Sequence, residues 1–500
     1  MCYNEIVKER QGKRKVYLGV MIIGFLIMFS LVFFGVQFVT KTGVFRIPGV
    51  VIYDESLDDN IISELAKIFT EEVDLDKNVT VSMRKELELP ELKDNEFLYE
   101  IMVPVTNFYS TENNIEVERA DDLFVNCLDC SYKLITIDDL SFDKKLLKIN
   151  GKYYLDNFKS GAVFYIVNFE SERYDEEIKP LLADFPKRNF PTDDTVLTLA
   201  QTGVTALSRG MNAKLNQVGD ATYFTEKIGE YLSGFDLTHT SNESSFTDYA
   251  TSRNICSDKR FINTLTAIGL DIVELTGNHN QDCGDMAAIE TIDAYAENNI
   301  RTVGGGKTAE EAAVPLEIDE KGSNITMLAY NLSTGGATHD NTPGANQYYE
   351  EVASTQIAEA KKRGDFVIVD IQYYECSGYA STYEDTTCDY ADSAAGDQVG
   401  FFRHLIDLGA DMVVGTSAHQ PQTFELYGDG VIYYGLGNLF FDQIWWPGTT
   451  RSLVLVHHFY DSKLLQTEIA PTVYGDEMQT RLMDEETAKW FIERLVKARP

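Results

Sequence analysis

Short apolar runs alternate with longer amphipathic runs along the second part of the chain. The intervening sequence predicts helices over 285–298, 354–363 and 397–408, the last of which ends at Gly409, a natural helix terminator. The apolar runs are short and bounded by glycine and polar residues, as expected for buried strands. They occupy 195–200, 271–275, 325–330, 366–371, 411–415 and 431–435. Strands that alternate with helices predict a layered α/β domain.

A different pattern precedes residue 190. Short apolar strands are predicted at 97–105 and 162–167, and a helix is predicted at 57–71. We find no chemical constellation among these residues. The region 45–190 is therefore expected to be a smaller extracytoplasmic α+β domain whose role the sequence leaves open.

The segment 184–194 separates the two patterns. It carries Pro186 and Pro191 among charged residues, which is typical of a linker. We therefore expect the α/β domain to span 191–475 and a helical tail to follow over 476–500.

The N-terminus carries one long uncharged apolar stretch, 16–40. Its roughly 25 residues, at ~1.5 Å rise each, exceed a ~30 Å hydrocarbon core. A cleaved signal peptide is the alternative, but its apolar region is usually shorter and ends in a small-residue cleavage site. We expect a single-pass membrane anchor, with the basic tail 1–15 in the cytoplasm and the bulk of the chain outside the cell membrane.

Composition limits the partners. The 500 residues carry a formal net charge of -36, and no basic footprint appears beyond the N-terminal tail, which argues against nucleic acid. A polyanionic partner would also be repelled at long range, unless cations or a local basic pocket intervene.

The cysteines agree with an extracytoplasmic location. Six of the seven follow the anchor, in a compartment where disulfides persist. Cys376 and Cys388 bracket one polar loop and are expected to pair. Cys127 and Cys130 form a CxxC, which is open to a redox reading and to a local disulfide or loop pair. No helix follows it, and this favours the second.

Polar, glycine-marked segments directly follow the predicted strands. The carboxyl ends of strands in an open α/β sheet converge on one crevice, so we expect these loops to meet. Carboxylate, amide and imidazole groups suit zinc, manganese or a similar divalent ion, which would activate water. Each residue alone is more often structural, for example in closing a turn, and it is their joint occurrence that makes a functional site equally open. The candidate side chains are Glu243, Asn278, His279, Gln372 and His419.

Four stretches, taken in order, resemble the CapA family of capsule (poly-γ-glutamate) proteins. They are 271–279 with Asp282, 304–306, 409–415 running to His419, and 435–442. The resemblance covers about residues 195–470 and implies a sandwich similar to the calcineurin-like metallophosphoesterases. It also implies a place in cell-envelope polymer synthesis, beside other capsule-synthesis membrane proteins.

Three family positions are altered in this chain. The family's Gly-Asp is Gly203-Val204 here, its His-Trp-Gly is 372–374, and its His-His-Pro-His is 416–419. The loss of one carboxylate and two imidazoles predicts a weakened two-metal centre. One divalent ion, or a metal-free pocket, is therefore expected.

The resemblance implies roles for the residues that remain. The implied metal ligands are Glu243, Asn278, His279 and His419. The implied catalytic group is His279, oriented by Asp282, with Arg209 facing an anionic group. The implied substrate contacts are Thr202, Gln372 and Asn438, although a turn role for Asn438 is equally open.

Three functions stay open from the sequence. The first is a metallophosphoesterase-like hydrolase that acts with one divalent ion on a phosphoester or a polymer amide. The second is a non-catalytic component that binds an anionic envelope polymer or a small substrate, through Arg209, Lys214 or bridging cations. The third is a structural or interaction module.

Overall fold

The structure, a computed structural model, describes residues 49–57, 59–69, 75–125, 131–184, 188–333, 335–338, 341–382, 384–390 and 396–500. The predicted tail 1–15 and membrane helix 16–40 lie outside these residues, as do Cys127 and Cys130. Among the described residues, no helix is both long enough and apolar enough to span a bilayer.

The chain forms two compact units. The smaller comprises the described parts of 1–54, 58–81 and 169–185, and the larger comprises those of 55–57, 82–168 and 186–500.

The elements before residue 190 are those of an α+β region. The strands are β1 (Val51–Tyr53), β2 (Val79–Glu88), β3 (Glu96–Asn107), β4 (Asn114–Ile115), β5 (Lys133–Thr136), β6 (Lys144–Leu146), β7 (Lys148–Ile149) and β8 (Ser160–Glu170). The helices are α1 (Asp59–Ile68), α2 (Asp122–Val125) and α3 (Tyr154–Asn157). The predicted helix and both predicted strands are present, and β3 and β8 are longer than expected.

In the smaller unit, β1 pairs in parallel with the start of β2, from Val51 opposite Val79 to Tyr53 opposite Val81. Helix α1 buries Ile61 and Leu65. In the larger unit, β3 pairs antiparallel with β5, β6 and β8.

The elements after residue 190 alternate as the sequence predicts. The strands are β9 (Leu197–Thr205), β10 (Leu237–Asn242), β11 (Phe246–Thr247), β12 (Ser257–Asp258), β13 (Ile272–Glu274), β14 (Arg301–Val303), β15 (Gly305–Gly306), β16 (Leu316–Glu320), β17 (Ser323–Asn331), β18 (Gly344–Ala345), β19 (Phe366–Gln372), β20 (Cys376–Gly378), β21 (Asp389–Tyr390), β22 (Met412–Thr416), β23 (Phe424–Tyr427), β24 (Gly430–Tyr433), β25 (Asn438–Phe440), β26 (Arg451–Tyr460), β27 (Lys463–Val473) and β28 (Arg481–Leu482). The helices are α4 (Gly210–Val218), α5 (Gly229–Leu232), α6 (Ile262–Ala267), α7 (Asp285–Glu297), α8 (Ala309–Ala312), α9 (Glu350–Arg363), α10 (Gln398–Asp407) and α11 (Glu485–Lys497).

Two mixed sheets form the centre of the larger unit. One has the order β14-β13-β10-β9-β26-β27-β28, with β25 also pairing with β9, and the other has the order β16-β17-β19-β22-β24-β23. Alternate residues of both sheets, such as Leu199, Ile272, Ile368 and Met412, share one apolar core. This alternation follows from the two-residue period of a strand, and it packs the sheets face to face.

Helices cover the outer faces of the two sheets. Met211 of α4 and Leu265 of α6 pack on Val273 of the first sheet. Ile357 of α9 and Phe402 of α10 pack on the second sheet. The layered α/β sandwich expected from the sequence is therefore confirmed.

Strand β9 corrects one prediction. The expected strand ended at Ala200, but β9 continues to Thr205, so Gln201 and Thr202 lie inside the sheet. Gln201 Nε2 donates to Asp370 Oδ1 at 2.6 Å, and Thr202 Oγ1 donates to the His239 carbonyl at 2.9 Å. These bonds allow polar side chains to be buried without a large desolvation penalty. The hydroxyl of Thr202, which the sequence predicts to contact substrate, is enclosed and used within the sheet.

Candidate functional site

Loops at the carboxyl ends of parallel strands from both sheets meet in one place. Glu243 directly follows β10, and His279 lies in the loop after β13. Gln372 ends β19, and His419 lies in the loop after β22. Strands β10 and β13 belong to the first sheet, whereas β19 and β22 belong to the second. The site therefore spans both sheets, as strand-end convergence predicts.

The first half of the site is a buried pair of Glu243 and His419. Their Oε2 and Nε2 atoms lie 3.5 Å apart, and the side chains are only 1% and 2% exposed. His419 Nδ1 donates to Asn438 Oδ1 at 2.8 Å, which directs Nε2 towards the carboxylate. Burial raises the pKa of Glu243, and His419 opposes this shift. Glu243 Oε2 has no hydrogen-bond partner.

The second half is a histidine held between two carboxylates. His279 Nδ1 donates to Asp282 Oδ2 at 2.8 Å, and His279 Nε2 lies 3.3 Å from Glu375 Oε1. Burial lowers the pKa of His279, but the bonds to Asp282 and Glu375 outweigh it and raise the value to about 10. His279 is therefore an imidazolium at neutral pH.

Amide side chains connect the two halves. Asn278 Nδ2 donates to Glu375 Oε1 at 2.9 Å. Gln372 Nε2 lies 3.1 Å from Asn278 Oδ1 and 3.4 Å from Glu243 Oε1. The structure therefore brings together Glu243, Asn278, His279, Gln372, His419 and Asn438, with Asp282 beside them.

Glu375 belongs to this group although the sequence did not single it out. Its pKa falls to about 2, because bonds from His279 and Asn278 and the charge of His419 outweigh the effect of burial. The available signal was its position three residues after Gln372, in a loop that follows a strand.

The backbone around His419 is strained. His419 has φ 58 and Ser417 has φ 73, both in the left-handed region that non-glycine residues avoid. Such conformations cost on the order of 1–3 kcal/mol each and concentrate at functional sites. A Cβ at Gly277 would lie 2.7 Å from Glu243 Cα, so only glycine allows these two loops to approach so closely.

Two disulfides border the site. Cys376 and Cys388 are bonded, which confirms the predicted pair, and Cys376 directly follows Glu375. Cys256 is bonded to Cys283, which closely follows Asp282. Both bonds restrict loops that carry site residues.

Arg209 contacts a carboxylate of its own chain. Its Nη2 lies 2.6 Å from Asp442 Oδ1, and its guanidinium lies 4.7 Å from the centre of the Phe441 ring. Asp442 Oδ2 also accepts the Gly210 amide at 2.9 Å. The anionic group that Arg209 faces in this structure is therefore Asp442.

A second polar cluster lies beneath the site. His239 Nε2 is 3.3 Å from Asp370 Oδ2, and both side chains are buried. Burial, followed by the charge of Asp370, raises the pKa of nearby Glu274 to about 7. Glu274 Oε1 accepts the Thr276 amide at 2.5 Å.

A cavity of about 560 Å³ elsewhere in the larger unit contains none of the site side chains. Lys145, Lys148 and Lys489 line it, together with Glu468 and Glu485. Burial lowers the pKa of Lys145 to about 8, and its Nζ donates to the Ser110 carbonyl at 2.7 Å.

The donor set does not fit two metal ions. Val204, which the sequence resemblance places at an aspartate position of the family, is buried against Phe441. Among the described residues, no group of three or more His, Cys, Asp or Glu side chains is arranged to hold an ion. The unpartnered Oε2 of Glu243 next to His419 fits a single cation.

Fold and site together define a two-sheet α/β protein whose strand-end loops carry two histidine–carboxylate groups. Residues 198–443 of this chain match the model of the bacterial capsule synthesis protein family PGA_cap. That segment contains every site residue named above.

Two curated relatives are similar over more than half of the chain. The PGA biosynthesis protein CapA of Bacillus subtilis is 25% identical over 297 residues, which cover 58% of this chain and 74% of that protein. The capsule biosynthesis protein CapA of Bacillus anthracis is 24% identical over 289 residues, covering 55% and 67%. A solved structure from Thermus thermophilus is 11% identical, with a TM-score of 0.28, and covers 53% of this chain and 100% of that one.

Proposed function

We propose that this chain is an accessory protein of capsule or poly-γ-glutamate synthesis, held at the outer face of the cell membrane by residues 16–40. The protein binds a segment of the envelope polymer, or a building block of it, and does not cleave it with a two-metal centre. Other membrane proteins of polymer synthesis are its expected neighbours.

The observation that carries this proposal is the pairing of the charged side chains. His279 is engaged by Asp282 and Glu375, and His419 is engaged by Glu243 and Asn438. An imidazolium fixed between two carboxylates is a poor general base, because its raised pKa keeps it protonated at neutral pH. The same arrangement provides fixed charges and donors that can orient a bound ligand.

An anionic polymer needs local positive charge, because the chain as a whole carries -36. Arg209 is occupied by Asp442, and Lys214 lies 5.4 Å from the centre of the Tyr223 ring. The cavity with Lys145, Lys148 and Lys489 is the better candidate for the polymer's carboxylates, and its volume suits a chain segment.

The test uses the full-length chain in detergent micelles and poly-γ-glutamate. We expect binding to persist in EDTA, with no release of shorter chains. The variant Lys145→Ala/Lys489→Ala should weaken binding about thirtyfold, because the two charge-assisted contacts together contribute about 2 kcal/mol. Lys362→Ala, which removes an exposed lysine that does not line the cavity, is the matched control. Equal binding by all three proteins would refute the role of the cavity.

A second candidate is a hydrolase that uses one divalent ion. The buried, unpartnered Oε2 of Glu243 favours it, because a buried carboxylate oxygen is costly unless a donor or cation satisfies it. Glu243 and His419 would hold the ion, which when bound would supply a Lewis acid.

Metal analysis and a cleavage assay separate the two candidates. The hydrolase requires about one Mn²⁺ or Zn²⁺ per chain and cleavage that EDTA abolishes and metal restores. The accessory protein requires metal-independent binding without cleavage. Glu243→Gln should remove the ion in the first case, and it should leave binding in EDTA measurable in the second.

A further inference from the structure

Two exposed tryptophans lie beside the strand-end site. Trp445 is 62% exposed and Trp446 is 40% exposed, although the chain has only three tryptophans. Their ring centres are 6.0 Å apart, and the Trp446 ring lies 5.4 Å from the ring of Tyr379. We call Tyr379, Trp446 and Trp445 the aromatic shelf. Adjacent exposed indoles are costly in water unless a ligand or partner uses them.

The shelf is continuous with the buried carboxylate. The Tyr379 ring lies 6.4 Å from the His419 ring, and His419 Nε2 lies 3.5 Å from Glu243. Burial raises the pKa of Tyr379, and the nearby charges of Glu375 and Glu243 raise it further. A ligand that covers the shelf therefore extends towards Glu243.

The charges of this environment favour a cation. The positive groups of Arg209 and His279 are already paired with Asp442, Asp282 and Glu375. Glu243 Oε2 has no hydrogen-bond partner among the described residues, and only 1% of the Glu243 side chain is exposed. An anion would be repelled by these groups and by the net charge of -36.

The rings distinguish between kinds of cation. A divalent metal ion would satisfy Glu243, but it prefers oxygen ligands and water and makes no use of indole faces. A neutral sugar would stack on the rings, but it would leave the carboxylate uncompensated. An organic ammonium group satisfies both, because aromatic faces attract cations and the carboxylate accepts its N–H bonds.

We propose that the strand-end site binds a primary ammonium group, with Glu243 Oε2 as its acceptor and the aromatic shelf along the adjoining part of the ligand. This rests on the proposed function and specifies its ligand. For an anionic polymer the group is its free amino terminus, and for a building block it is the amino group of a free amino acid. The site then recognises the end of a chain and not its repeating carboxylates.

Tryptophan fluorescence provides the measurement. Trp490→Phe in the full-length chain leaves Trp445 and Trp446 as the reporters, since the third tryptophan is in α11. The probes are an oligomer of γ-linked glutamate with a free amino terminus, the same oligomer N-acetylated, and free glutamate. We expect the free-amine oligomer to act at about tenfold lower concentration than the acetylated one, as a desolvated cation–π and ion contact requires. Free glutamate binds as tightly as the free-amine oligomer if the building block is the ligand. It binds more weakly than the oligomer if the end of the chain is the ligand.

Two variants test the parts separately by binding calorimetry. Glu243→Gln should abolish the preference for the free amine. Trp445→Ala, at an exposed position, should weaken binding of the free-amine oligomer severalfold without affecting folding. Tyr349→Ala removes an equally exposed aromatic ring at the start of α9 and should change nothing.

The outcomes are distinct. Equal binding of free and acetylated oligomers would overturn the ammonium proposal while polymer binding stands. Binding of neither oligomer would overturn the proposed function as well. The ammonium proposal would also be refuted if Glu243→Gln kept the preference for the free amine. It would be refuted as well if stoichiometric Mn²⁺ displaced the oligomer and Trp445→Ala had no effect.

Discussion

Nε2 of His279 lies 3.3 Å from Oε1 of Glu375, although the two residues follow strands of different sheets. The contact joins the loop after β13 to the loop after β19. Both loops are tied by a disulfide close to the contact, Cys256–Cys283 on one side and Cys376–Cys388 on the other. The site is therefore a junction between the two halves of the sandwich.

The disulfide next to Glu375 should fix that junction. Cys376→Ala/Cys388→Ala should lower the free energy of unfolding by about 3 kcal/mol, because closing a loop of this length restricts the unfolded chain. It should also displace Glu375 and weaken polymer binding. Urea unfolding with a binding assay measures both. Cys256→Ala/Cys283→Ala is the comparison, which should lose stability but leave Glu375 in place. An unchanged unfolding midpoint in the first variant would contradict this account.

Glu274 should make stability depend on pH. Its pKa in the folded chain is about 7, above the ordinary 4.5, because burial favours the neutral acid. A raised pKa stabilises the fold fully below pH 4.5, and this contribution is lost as pH rises through about 7. The free energy of unfolding of the wild type, relative to that of Glu274→Gln, should fall by on the order of 3 kcal/mol between pH 5 and pH 8.

Unfolding in urea at both pH values checks this difference. Glu310→Gln, which changes an exposed carboxylate of α8, should follow the wild type. If the free energies of unfolding of wild type and Glu274→Gln differ by the same amount at both pH values, the titration of Glu274 does not cause the pH dependence.

The strands could be predicted because their apolar runs are buried on both faces. The end of β9 could not, since Gln201 and Thr202 are polar residues whose partners, Asp370 and His239, come from other strands. Polar residues after an apolar run resemble a loop when those partners are unknown.

The site could be predicted in part. Strand-end convergence correctly gathered Glu243, His279 and His419. It could not show that each imidazole has its own carboxylate, because the Glu375 partner of His279 lies on the other sheet. The Cys256–Cys283 disulfide could not be predicted either, because the spacing of cysteines along a sequence does not determine which of them pair.

Arg209 should contribute to stability and not to ligand binding. Asp442 is almost buried and also accepts the Gly210 amide, so Asp442→Ala leaves two donors unsatisfied. We expect it to lower the free energy of unfolding by about 2 kcal/mol, and Arg209→Met to cost a similar amount. Polymer affinity at low temperature should be unchanged in Arg209→Met. Loss of affinity with stability retained would instead make Arg209 a ligand contact.

The protonation of His279 tests the gathered site most directly. The chain has only seven histidines, so NMR of the full-length chain labelled at histidine Cε1 can follow each ring, with His279→Gln identifying the signal. We predict that His279 stays protonated through pH 8, with a pKa well above the ordinary 6.5, and that Glu375→Gln lowers this pKa while Glu310→Gln does not. A His279 pKa near 6.5 that is the same in wild type and in Glu375→Gln would contradict the convergence of these loops.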